Sequence, residues 1–253
     1  MGITSPASPT KSEAEPHPRR PRAAVRAGCD APSTRSYTRH VTLLPLDPDQ
    51  LLSTTRAVRK RLDLTRPVPE ALIRECVELA LQAPSGSNVV TMRFVVITEE
   101  ATRHAIGQIY AECYELYKRS PLYAGSISSD DPAEEAQQRR VASSADFLGE
   151  HLGDAPVLVL ACNEGSDRAS ATRAMGNVLP ATWSFMLAAR ARGLGTAWTA
   201  MHLSRERDVA DLVGIPYDTV AQAVLTPLAF TKGTEFKPAL RPEPDEIIHW
   251  NAW

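Results

Sequence analysis

The stretch "VPEALIRECVELALQAPSGSNVVTMRFVVIT" (68–98) decides how the chain is read. In its first half Leu72, Ile73, Cys76, Val77, Ala80 and Leu81 recur at three- and four-residue spacing, the period of a helix with one apolar face. Pro69 sits at a first-turn position with Glu70 beside it, and Pro84 stops the helix. In the second half "RFVVIT" (93–98) is a short β-branched run suited to a buried strand. Between them lies "APSGSN" (83–88), which offers two hydroxyls, a carboxamide and a glycine that lets backbone approach a ligand closely. An ordinary turn has the same composition.

Outward from this unit the alternation continues. "PVLVLAC" (156–162), "GTAWTAM" (195–201) and "VAQAVLTPLAF" (220–230) read as strands by length and flanking glycine or proline. Segments 101–118, 132–150, 177–192 and 204–212 read as helices. In the helix over 177–192, Asn177 is the expected N-cap, Pro180 falls in the tolerated first turn and Gly193 supplies the stop. Strands alternating with helices, without an internal repeat, predict one α/β domain over 49–253.

Upstream the composition changes. Residues 1–48 hold eight of the 20 prolines and few large aliphatics, too little to offset chain entropy by packing, and read as a disordered extension. Arg19, Arg20, Arg22 and Arg26 there form at most a weak anionic-surface contact, and a solvated tail explains them as well. The segment lacks the continuous apolar core of a secretory signal, so no export is expected.

The bulk properties exclude whole classes. With 253 residues, 43% hydrophobic, the chain can build one large core. A net charge of -2 gives no reason to expect nucleic-acid or membrane-surface binding, and the longest apolar runs fall far short of the roughly 20 residues that span a bilayer. Cys29, Cys76, Cys113 and Cys162 are too widely spaced for a zinc site or a disulfide framework and read as thiols in a reducing compartment, the cytoplasm. The six histidines form neither a triad nor a metal pattern, so no metal and no catalytic side chain is expected.

Three further stretches carry chemistry. In "TTRAVRKRL" (54–62), Arg56 and Arg59 stand three apart, which in a helical turn puts both guanidinium groups on one side, able to close on a phosphate. A solvated basic face has the same pattern. "GLGTAWTAM" (193–201) is not a dinucleotide fingerprint, because it precedes a strand and lacks the third glycine. It reads instead as a helix stop feeding a strand whose amides at Trp198, Thr199 and Ala200 can face a planar ring. "KPALRP" (237–242) returns two cations, Lys237 and Arg241, shortly before a terminal "EIIHWNAW".

In this order and spacing the four stretches resemble the nitroreductase family of FMN-dependent oxidoreductases, over essentially all of 49–253. The resemblance implies an α+β fold of three layers, α/β/α, with a central, mostly antiparallel sheet flanked by helices. It also implies an intertwined homodimer that binds FMN at each subunit interface. By the same resemblance Arg56 and Arg59 hold the FMN phosphate and the ribityl or pyrimidine edge. Ser85, Gly86 and Asn88 form the loop beside the isoalloxazine, Trp198, Thr199 and Ala200 the strand near its face, and Arg241 is a phosphate ligand. The chain departs from the family at Thr55 and Ala57, where a second arginine and a serine are common, and at Val90, Thr91 and Met92, where Gln, Pro and Trp are. The implied activity is hydride transfer from NAD(P)H through FMN to a small-molecule acceptor such as a nitroaromatic or quinone, in a ping-pong cycle. Two alternatives stay open: other flavin chemistry, dehalogenation or flavin fragmentation, under a lid at 110–140 carrying Tyr110, Tyr114, Tyr117 and Tyr123, and FMN binding or storage without turnover. Those tyrosines read more simply as helix packing and loop anchors.

Overall fold

The computed structural model describes residues 43–253, so the expected extension lies outside the described residues up to position 42. Four strands, β1 (Met92–Ile97), β2 (Val157–Glu164), β3 (Leu194–Thr196) and β4 (Val220–Phe230), form one sheet in the order β1-β2-β4-β3, antiparallel throughout. Among the described residues seven α-helices accompany it: α1 (Pro48–Thr54), α2 (Glu70–Ala80), α3 (Glu100–Lys118), α4 (Pro132–His151), α5 (Arg168–Arg173), α6 (Met175–Ala191) and α7 (Glu206–Val213).

The run "VLVLAC" explains the layering, because successive side chains of a strand face opposite ways. Val157 and Val159 pack with Leu72, Ile73 and Cys76 of α2 and Phe185, Met186 and Ala189 of α6. Leu158 and Leu160 pack on the other side with Ile106, Ile109 and Tyr110 of α3, Leu148 of α4 and Val209 of α7. A strand covered on both faces has no polar side to show, hence its unbroken apolar sequence. The result is the α/β/α sandwich with an antiparallel centre that the resemblance implied.

Two local readings are corrected. Asn177 does not cap α6: the helix starts at Met175, and the Asn177 carboxamide instead accepts the Gly86 N–H at 2.9 Å and donates to Thr91 Oγ1 at 3.0 Å. Pro180 therefore lies inside α6 rather than in its first turn, while Gly193 does end the helix, at φ +74. The strand expected over 195–201 stops at Thr196. The Leu225 N–H donates to the Thr199 carbonyl, so alternate residues of β4 point their amides toward β3, and the next of these is Pro227, which has none. Opposite it the Ala197 N–H turns to Thr226 Oγ1 at 3.1 Å, and the ladder resumes only at the single Thr199–Leu225 bridge.

Candidate functional site

The basic segment is not a helical turn. Thr55 leaves α1 in an extended conformation (ψ 125), Ala57 bridges Thr196 in parallel, and the Val58 N–H donates to the Thr196 carbonyl at 2.8 Å. Val58 and Leu62 are buried against Ala229, so the segment is pinned outside β3 as an edge piece. Arg56 and Arg59 consequently serve different neighbours instead of one helix face.

Arg56 Nη1 donates to the Lys237 carbonyl at 2.8 Å, and burial, followed by the charge of Arg241, lowers its pKa. The chain thus brings Arg56 to Arg241, across 180-odd residues, and among the described residues neither guanidinium has a carboxylate partner. Two clustered cations without a counter-charge repel each other unless an anion joins them. A phosphate fits this donor set, since guanidinium forks match its oxygens.

Arg59 points the other way, toward α3. It is half-buried, burial lowers its pKa, and the phenols of Tyr110, Tyr114 and Tyr117 lie within electrostatic reach. Tyr110 is buried and its hydroxyl meets Thr199 Oγ1 at 3.1 Å, with the Arg59 charge within electrostatic reach of the same phenol. Trp198 and Ala200 are exposed on either side of buried Thr199. The amide of Thr199 is bonded to the Leu225 carbonyl and does not face a ring as expected; its hydroxyl is the group on offer.

The loop sits elsewhere. Gly86–Asn88 forms one 3-10 turn, with the left-handed conformations at Ser87 (φ 54) and Asn88 (φ 54) rather than at Gly86. A chain of hydrogen bonds holds it: Gly86 N–H to Asn177, Asn177 to Thr91, Thr91 Oγ1 to Asn163 at 2.7 Å, and Asn163 to the Ala171 carbonyl at 2.8 Å. Asn177 opens α6, whereas Arg190, near its other end, reaches Thr54 Oγ1 just before Arg56. At 1.5 Å per residue those ends are about 20 Å apart. Ser85, Gly86 and Asn88 therefore lie toward the opposite end of α6 from Arg56 and the neighbouring Arg241.

Residues that the sequence reading missed complete the basic corner. Arg61 donates to the carbonyls of Lys232 and Glu235 and lies over the Phe236 ring at 4.1 Å, while buried Arg190 lies over the same ring at 4.8 Å. Together they hold the strap that carries Lys237 and Arg241. A buried arginine in the run "LAARARG" was the available signal for Arg190; nothing local marked Tyr110 apart from its neighbouring tyrosines. Those tyrosines are packing and anchoring groups: Tyr114 and Tyr123 both donate to Asp146, and Tyr117 accepts the Ala124 N–H. An open groove of about 620 Å³ between α2 and β1, walled by Ile73, Val77 and Phe94, includes none of the expected site residues.

The profile of the Nitroreductase family matches residues 52–226. A curated NADH dehydrogenase of Thermus thermophilus is 40% identical over 77 residues, 28% of this chain and 36% of that protein, so the chain spans about a third of that relative's length. Among solved structures, oxidized iodotyrosine deiodinase bound to FMN and 3-iodo-L-tyrosine superposes with a TM-score of 0.61 at 20% identity, covering 80% of this chain and 98% of the other. An FMN- and NADPH-dependent nitroreductase from sphigopyxis sp. strain HMH gives 0.57 at 22% identity, covering 82% and 100%. A BluB-like flavoprotein from Clostridium difficile 630 gives 0.58 at 17%, covering 81% and 99%.

Proposed function

We propose that this chain, which belongs to the nitroreductase family, is an FMN-dependent NAD(P)H oxidoreductase that works as a homodimer with a composite site. The observation that carries the reading is the convergence of Arg56 and Arg241 without a carboxylate partner among the described residues, with Thr199 bonded to Tyr110 and Arg59 within electrostatic reach of that phenol. One end of this corner suits a phosphate, the other a polar ring edge. When bound, FMN supplies the hydride relay from NAD(P)H to an acceptor such as a nitroaromatic or quinone. The chain's own part is to bind and orient. Arg56 and Arg241 take the phosphate, Arg59 offsets negative charge at the pyrimidine edge, and Trp198, Thr199 and Ala200 border the ring.

Since α6 puts Ser85, Gly86 and Asn88 about 20 Å from Arg56 in their own subunit, this reading assigns the border of the ring to the same loop of a two-fold partner. A two-fold axis places the loop corner of each copy against the basic corner of the other. The exposed pair Leu179 and Trp183 on α6, four apart and so on one face, supports such an interface.

The purified protein is expected to be yellow, to release FMN on denaturation and to oxidise NAD(P)H faster when a nitroaromatic or quinone is added. Initial rates at varied NAD(P)H and acceptor should give parallel lines, because one flavin site serves both in turn. A colourless protein that takes up no added FMN overturns the reading, and intersecting lines overturn the shared site.

A further inference from the structure

Past β4 the chain runs as a strap from Lys232 to Arg241, and two arginines from distant parts of the sequence grip it. The Arg61 carbonyl accepts the Lys232 N–H at 2.7 Å, and the Arg61 side chain donates from Nε to the Lys232 carbonyl at 3.0 Å and from Nη1 to the Glu235 carbonyl at 2.9 Å. The same guanidinium lies over the Phe236 ring at 4.1 Å, and that of Arg190, from the last turn of α6, over the same ring at 4.8 Å. Among the described residues neither arginine has a carboxylate partner, and buried Arg190 reaches only Thr54 Oγ1, at 3.5 Å, with Nε and Nη1 unpartnered. Two neighbouring cations, one of them buried, are therefore offset chiefly by the negative face of one aromatic ring. The backbone is fitted to this grip: Gly233 takes φ +78, and a Cβ there would stand 2.8 Å from Arg61 Nη2. Phe236 immediately precedes Lys237, whose carbonyl accepts from Arg56 Nη1 at 2.8 Å, and Pro238 stiffens the run toward exposed Arg241.

We propose that Phe236 is a positioning residue for the phosphate end of the flavin: gripped by Arg61 and Arg190, its ring fixes the strap so that Arg241 stands beside Arg56 before the ligand arrives. The inference rests on the FMN reading above and deepens it, by assigning phosphate selection to a side chain that does not itself hold the phosphate. A strap already in place loses little conformational entropy when a phosphate binds, whereas a loose one must be ordered first. That cost falls on FMN alone, because riboflavin has no phosphate and makes no call on the strap.

The test compares FMN with riboflavin on the full chain, stripped of flavin and titrated with each in turn by fluorescence, for wild type, Phe236→Leu and Phe236→Tyr. Leucine keeps an apolar side chain without a π face, and tyrosine keeps the face. Phe236→Leu should bind FMN about three- to thirtyfold more weakly, the range between an exposed and a desolvated cation–π contact, and riboflavin as wild type does. Phe236→Tyr should match wild type for both. A merely structural role for Phe236 would weaken the two ligands alike. Equal losses for FMN and riboflavin, no loss, or a Phe236→Tyr protein as weak as Phe236→Leu, overturns the inference while the FMN reading stands. A wild-type chain that takes up no FMN removes both. If Phe236→Leu does not fold, Gly233→Ala decides from outside the ring, since its methyl group displaces Arg61 from the strap. A selective loss of FMN in that variant supports the inference, and a wild-type preference for FMN over riboflavin overturns it.

Discussion

A single side chain can be committed to opposite tasks by its surroundings, and the arginines of this protein show it. Arg192 is paired with Glu75 and Arg168 with Glu206, whereas Arg56 and Arg241 have each other for neighbours and no carboxylate among the described residues. Replacing Arg56 or Arg241 by alanine should therefore weaken FMN more than riboflavin, by about 1.5 to 3 kcal/mol per lost charged hydrogen bond, in fluorescence titrations of the apoprotein. Equal losses for the two ligands would remove the phosphate assignment. His202 poses the converse case. Its ring is fully buried, both nitrogens lack hydrogen-bond partners among the described residues, the Gln222 carboxamide lies beside it, and burial drives its pKa down to about 4. The folded protein keeps the ring neutral while the unfolded chain protonates it near 6.5, so the stabilising difference is complete above about pH 6.5 and is lost as pH falls toward 4. Over that window the loss is on the order of 3 kcal/mol. Urea melts at pH 7 and pH 4.5 should show wild type losing this much more stability than His202→Gln, and equal losses would show that His202 titrates as freely in the fold as out of it.

Elements were legible in the sequence wherever the signal was local. The period of α2, the β-branched run of β1 and the stop at Gly193 are each written within a few residues of the feature they cause. What failed was written elsewhere in the chain. β3 is cut short by Pro227 on the neighbouring strand, and the basic segment is kept from coiling by Thr196 and Thr231, which take its backbone into isolated bridges. Asn177 looked like a cap because Asn ahead of an apolar run is the usual cap signature; the short helix α5, capped by Asp167 and Ser170, already leads into α6 and frees that carboxamide for the loop. The candidate site was legible as residue types in order, but not that they occupy two corners. If Asn177 is what holds the loop, Asn177→Ala should speed amide exchange across 85–88, at a stability loss of about 1 kcal/mol, while α2 and β1 exchange as before. Unchanged exchange in the loop would show that its own 3-10 turn suffices.

At the scale of the molecule the question is what covers the apolar surface that one chain leaves open. Ile247, Ile248, Trp250 and Trp253 are all exposed, with Trp250 at 79% and the indole of Trp253 stacked only on His249. Burying one large aliphatic or aromatic side chain is worth roughly 1.5 to 3 kcal/mol, so four together favour docking strongly over solvation. The tail lies exposed on its own subunit, and the two-fold partner proposed above would both cover it and complete the proposed site. Arg241 lies a few residues upstream on the same strap, so a tail anchored on the partner would also fix one end of the phosphate corner. Truncation after Pro244 is accordingly expected to yield a protein that loses FMN and dissociates or aggregates, read by light scattering and by flavin absorbance in the same sample. A truncated protein that remains a flavin-loaded dimer would show that the interface is built by α6 and the loop corner alone, and that the tail's exposed indoles serve some other contact.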